Sequence, residues 1–283
     1  MKRTGFILLI LFIILAAGCD TGIHQRINCI CLIDYSGSLS EQTLHRYIEI
    51  ISSDVLGHLG EKDRLVVLPI DEGAKTQAVK LVFDDLADKK FSYSTDGYTH
   101  ARDSLAMRLK LYTQQTGPVI AAELLRQKTA REKFTYYSDI FSALEQASSL
   151  MEQNDPDTFW AGVERFLTGK KRIVSTNVLI LFSDMIQETA ETTFAGPEGP
   201  TAEQSRTVLE RLKSAGRIPN FQGCKVFVNG RTGKSNVQVD NIQNFWTQYF
   251  KDAGAQLSAY DYDAGPQIIS FLTQRGAQAQ AFQ

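Results

Sequence analysis

The stretch LIDYSGSLS, Leu32 to Ser40, joins two segments of opposite periodicity. Before it, Ile27 to Ile33 (INCICLI) is an apolar run of strand length. After it, SEQTLHRYIEIISSDVLGHLG places Leu44, Tyr47, Ile48, Ile51, Val55 and Leu59 at helical spacing, with Gly57 or Gly60 to end the helix. The junction holds Asp34, then Ser36 and Ser38 at two-residue spacing. Asp and Ser favour turns and helix caps anywhere. The same three side chains are also oxygen donors on one short loop, which is what a hard cation requires.

Working outward, Asp63 to Ile70 (DRLVVLPI) and Ala78 to Leu86 (AVKLVFDDL) are further strands. No helical period separates them, which predicts hairpin-like pairing. Residues 101–134 look helical, broken at Gly117-Pro118. A helix over SDIFSALEQASSLMEQ sets Ile140, Leu144 and Ala147 on one face. Asp155 and Pro156 form an N-cap and first turn for another, whose stripe of Phe159, Val163, Phe166 and Leu167 reads as core. Thr176 to Asp184 (TNVLILFSD) is apolar without alternation, as in a parallel strand covered on both faces. Then come a loop over 185–200, a helix over 201–216, a strand over 224–230, a helix over 236–254 and a strand over 255–263. This alternation predicts an α/β fold: a doubly wound, mostly parallel open sheet flanked by helices, with a helical insertion at about 98–134.

The chain has 283 residues, and it opens with Lys2 and Arg3, an apolar core from Phe6 to Leu15, and Ala16, Ala17 and Gly18 before Cys19. That is the anatomy of a secretory signal, with a core short for a membrane span. LAAGC resembles the lipobox of bacterial lipoproteins. The resemblance implies cleavage after residue 18, lipid on Cys19 and an extracytoplasmic protein on a bacterial membrane. Asp20 slightly favours the inner membrane. The expected organisation is a signal over 1–18, a linker over 19–26, one domain over 27–263 and a tail over 264–283. The tail starts as a short helix and ends in a disordered Gln/Ala-rich stretch.

With 30 basic and 32 acidic residues, net charge is −2, and nothing favours nucleic acid. Cys29, Cys31 and Cys224 lie in apolar strands without metal-ligand spacing, so buried free thiols are favoured over a bridge to Cys224. VNGRTGKSNV contains Gly-Lys-Ser, but Gly230 and Gly233 stand too close for a phosphate-cradling loop, so a polar turn is expected and no nucleotide. His24, His45, His58 and His100 are scattered and read as surface or helix residues.

In an open α/β sheet, ligands bind beyond the carboxyl ends of the strands, where strand order reverses. Asp34 and Asp184 each end an apolar strand, and they converge if those strands are neighbours. Buried carboxylates need partners, and a cation between them is one. Ser138, in a loop before a helix, adds a hydroxyl. The oxygen-only set argues against zinc.

With these residues in place, the chain resembles the von Willebrand factor type A domain over about 27–263. That family carries a metal-ion-dependent adhesion site, Asp-x-Ser-x-Ser, then a distant Thr and a distant Asp. DYSGS matches its first part as Asp34, Ser36 and Ser38. LILFSDM looks like the strand ending in Thr-Asp-Gly and carries Asp184, and SDIFSAL looks like the segment of the distant Thr, with Ser138 in its place. Met185 stands where the family has Gly. The resemblance implies Mg2+ or Mn2+ held by Asp34, Ser36, Ser38, Ser138 and Asp184, with an open position for an Asp or Glu of a partner protein. The expected function is therefore binding, not catalysis. A metal-dependent hydrolase is the weaker alternative, because no nucleophile–base pair or His base is visible. A scaffold of an envelope complex with an incidental metal is the third.

Overall fold

Strand β1 (Ile23–Asp34) forms the centre of a six-stranded sheet. A computed structural model of the chain describes residues 23–37, 39–60, 63–71, 81–83, 98–131, 137–152, 168 and 172–281. The other strands are β2 (Arg64–Ile70), β3 (Leu81–Phe83), β4 (Arg172–Phe182), β5 (Lys225–Asn229) and β6 (Gln256–Asp261). Their order is β3-β2-β1-β4-β5-β6. Five strands run parallel, and β3 pairs antiparallel with β2, as the missing crossover helix predicts. Strand order reverses between β1 and β4, the neighbours that carry Asp34 and lead to Asp184.

The sheet is covered on both faces, so β1 and β4 are apolar on both. Cys29, Cys31 and Ile33 of β1 pack with Val178, Ile180 and Phe182 of β4 on one side. There they meet helix α1 (Glu41–Glu49), helix α2 (Tyr98–Arg131) and helix α6 (Gly265–Ala281) through Leu44, Ile120, Leu124, Ile268 and Leu272. Ile30, Leu32, Leu179 and Leu181 face the other layer. It contains helix α3 (Ile140–Ser148), helix α4 (Ala202–Ser214) and helix α5 (Asn236–Asp252). On α5, Phe245, Trp246, Tyr249 and Phe250 are fully buried, and Trp246 donates its indole N–H to the Met185 carbonyl at 2.9 Å. Cys29, Cys31 and Cys224 are buried free thiols. Cys224 lies in the opposite layer from the other two, so the sheet itself separates them.

Three expectations are corrected. Residues 23–26, expected in the linker, belong to β1 and pair with Arg172–Ser175 of β4. The tail is one helix from Gly265 to Ala281, not a fading turn, because Ala264, Ile268 and Leu272 are fully buried against the sheet. Helix α2 runs through Gly117-Pro118 without a break. The proline ring points to solvent while Gly117 faces inward, so only one helix hydrogen bond is lost and the packing of Ile120 and Leu124 holds the axis. The helix expected over 155–167 and the leader over 1–18 lie outside the described residues, and no described helix is long and apolar enough to cross a membrane.

Gly117 has a second reason to be glycine. After α1 the chain widens into a π-helical turn, Ile50–Val55, and a Cβ on Gly117 would stand 2.6 Å from the Ser52 carbonyl oxygen. Gly117→Ala is therefore expected to lift α2 and destabilise the fold by about 1–3 kcal/mol in urea unfolding. Unchanged stability would show that α2 is not seated on the turn.

At the amino edge of the sheet, Glu152 accepts Arg26 at 2.6 Å and lies 3.9 Å from Arg64. Asp63 turns inward and accepts the backbone N–H groups of Ile27 and Gly60, both at 2.6 Å.

Candidate metal centre

The carboxyl edge is built around Asp34, which is fully buried. Its Oδ1 accepts the Ser36 backbone N–H at 2.8 Å, and the Ser36 hydroxyl also bonds the carboxylate. The Ser138 hydroxyl lies 3.1 Å from both oxygens and shares its single proton between them. The Ser183 hydroxyl donates to Oδ2 at 2.9 Å. Burial pushes the Asp34 carboxyl above the ordinary carboxylate range, and the bonds from the Ser36 amide, Ser183, the Ser36 hydroxyl and Ser138 oppose it.

Asp184 follows β4 and is also buried, with Oδ1 accepting the Ile186 N–H at 2.9 Å. Tyr47 of α1 senses both acids. Burial raises its phenol, and the charges of Asp184 and Asp34 raise it further. So Ser36 and Ser138 meet Asp34 in direct contact, and Asp184 follows the neighbouring strand at the reversal between β1 and β4. Ser38 lies outside the described residues.

Ser138 is held from both sides. Its carbonyl accepts the Glu188 N–H at 2.9 Å. Next to it Asp139, expected as the acidic first turn of α3, is instead its N-cap and accepts the Ser142 N–H at 3.2 Å. Gln187 is fully buried and accepts the first N–H groups of α3, from Ile140 at 2.8 Å and Phe141 at 3.3 Å. Gln187→Leu leaves both donors without this acceptor and is expected to destabilise the protein by about 1–3 kcal/mol. A thermal melt matching wild type would refute that role.

The insertion reaches the same edge. Arg131, the last residue of α2, bonds Asp71 after β2 at 3.0 Å and lies over the Tyr35 ring at 5.6 Å. Lys128 reaches Glu41 at the start of α1 at 3.1 Å. The loop carrying Ser36 is thus bracketed by α2. Burial raises the Asp71 carboxyl, and the Arg131 bond counters it.

Sequence reading missed Ser183, Gln187 and Tyr47. Ser183 had a signal: it occupies the Thr of the Thr-Asp-Gly pattern in FSDM. It accepts the Met185 N–H at 3.0 Å, which aims its proton at Asp34. Gln187 and Tyr47 carry no local signal, because their roles depend on contacts with other elements. Met185 has φ 63°, the left-handed conformation that glycine adopts freely. Its side chain is fully buried, which offsets the roughly 1–2 kcal/mol that this conformation costs a residue with a Cβ.

Among the described residues, no three His, Cys, Asp or Glu side chains gather into a metal-binding group. Any cation here must use hydroxyls. The donor set fits one: a serine that gives its proton to Asp34 keeps lone pairs for a cation, and all the atoms are hard oxygens. The Gly-Lys-Ser segment is accounted for otherwise: Ser235 caps α5 and Lys234 bonds the Ala195 carbonyl, consistent with the polar turn.

No protein-family model matches the chain, and no curated protein matches it. Among solved structures, the pilus adhesin SpaC of Lactobacillus rhamnosus GG matches at 10% identity and a TM-score of 0.42, over 91% of this chain and 31% of that one. The human COPII-coat protein Sec24c matches at 12% identity and a TM-score of 0.32, over 88% of this chain and 32% of that one. The chain thus spans about a third of the length of each. At these values neither likeness bears on function.

Proposed function

We propose that this chain is a type A domain protein, anchored outside the cytoplasm by lipid on Cys19, that binds a partner protein through a divalent cation. Mg2+ or Mn2+ is held by Asp34, Ser36, Ser38, Ser138 and Asp184. The observation that carries this reading is the fully buried Asp34 carboxylate ringed by the hydroxyls of Ser36, Ser138 and Ser183.

When bound, the cation supplies an electrophile for a carboxylate of the partner. The chain's own groups do the rest. Asp34 orients the serine hydroxyls by accepting their protons, so their lone pairs turn outward together. Ser183 and Gln187 fix the two loops that bring Asp184 and Ser138 to the site. The hydroxyl ligands are neutral and add no charge beyond the two carboxylates, so a bound divalent cation stays electrophilic and can take an Asp or Glu of the partner as a further oxygen ligand. The site has no His base and no activated nucleophile among these residues, which supports capture over hydrolysis.

Calorimetric titration with Mn2+ tests the reading. One saturable site is expected, together with a higher melting temperature that a chelator reverses. Titration to millimolar Mn2+ with no heat and no melting shift would overturn it.

A further inference from the structure

We infer that the amino edge of the sheet rests on an anionic bilayer and that the metal centre faces away from it. This deepens the proposed function and rests on the lipid anchor at Cys19.

Strand β1 runs directly from one edge to the other. It begins at Ile23 and ends at Asp34. Only Asp20, Thr21 and Gly22 separate Cys19 from that start, a leash of at most about 14 Å when fully extended. Asp34 stands about 36 Å farther along, at roughly 3.3 Å per residue. With the lipid fixed at one end, a leash shorter than half the strand cannot let the domain turn over, because an inverted β1 would lift Ile23 about 36 Å from the headgroups.

The charges at the two edges agree with this orientation. At the amino edge Glu152 is shared by Arg26 and Arg64. Asp63 accepts two backbone N–H groups beside Arg26, and Asp252 pairs with Lys213 at 2.8 Å. Lys225 begins β5 at the same edge. The basic side chains at this edge suit anionic headgroups. The carboxyl edge gathers Asp34, Asp71, Asp139 and Asp184 instead. The partner must therefore offer its carboxylate from a domain standing off the bilayer, not from a segment lying in the headgroups.

The full lipidated chain is reconstituted in phosphatidylethanolamine–phosphatidylglycerol vesicles that carry nitroxide-labelled headgroups. A dye is placed on Gln222→Cys, just before β5, or on Thr232→Cys, just after it; both positions are exposed. Several-fold stronger quenching is expected at 222 than at 232. Equal or reversed quenching on vesicle-bound protein overturns the orientation while leaving the anchor intact. If Cys19→Ala floats with the vesicles as well as wild type does, the anchor reading fails and the orientation fails with it. Phosphatidylcholine vesicles should narrow the contrast, and an unchanged contrast would overturn the electrostatic part.

Discussion

Asp34→Asn is expected to reduce Mn2+ affinity by at least about two orders of magnitude, the equivalent of ~2.7 kcal/mol, while the metal-free variant melts no lower than wild type at pH 8. The two halves have one cause. Asp34 is fully buried, and burial raises its pKa above the ordinary value. A carboxyl raised in the folded state favours folding while it is protonated, and that contribution is lost as pH rises through its folded pKa. A charge on Asp34 is therefore one that the metal-free fold disfavours. Asparagine keeps one oxygen to accept the Ser36 amide and the Ser138 hydroxyl, its N–H donates to the Ser183 hydroxyl oxygen once that hydroxyl turns, and its neutral side chain has no charge to desolvate. It also removes the charge that a cation needs. Titration and a melt on one sample decide the matter. Affinity within threefold of wild type would remove Asp34 from the site, and a large fall in melting temperature would make it a purely structural carboxylate.

Gly230→Ala should give the largest loss of stability, about 3–5 kcal/mol from backbone strain and overpacking together. Gly230 follows β5 with φ 138°, a conformation that side chains rarely adopt. A Cβ there would stand 2.3 Å from the Tyr47 hydroxyl and 2.5 Å from the Ser183 carbonyl oxygen. Both neighbours belong to the candidate centre, so the strain falls on the residue that aims at Asp34. Urea unfolding should show the loss, and the surviving folded fraction should bind Mn2+ more weakly. A midpoint near that of wild type would mean that β5 shifts freely at this end.

Much of this architecture was legible in the sequence because burial on two faces writes itself as uninterrupted apolar runs. Ile27–Ile33 and Val178–Phe182 are such runs, and each leads directly into an acid or a serine followed by one. The paired strands then set the ends carrying Asp34 and Asp184 side by side, and the loop before α3 lays Ser138 on Asp34. The errors arose where long-range packing overrode local preference. Gly117-Pro118 is a breaker by propensity, yet α2 continues because the glycine seats it on Ser52. The Gln/Ala-rich tail looked unstructured because two buried side chains, Ile268 and Leu272, are too few to mark a periodic face. Gln187 and Tyr47 are ordinary residues locally, and only the fold gives them partners, whereas Ser183 stands in a readable pattern that sequence reading passed over.

The bonds that define the centre join residues far apart in the chain: Ser138 and Ser183 reach Asp34 across 104 and 149 positions. No contiguous piece shorter than that span contains the set, and no early hairpin or helix prefigures it. Contacts of such separation pay their closure entropy late in folding. Competence to hold an ion would therefore appear all at once, after β1 and β4 have met, and would disappear all at once when they part. Under the proposed function, ion affinity is thus a property of the completed fold, and no partly folded intermediate is competent to bind.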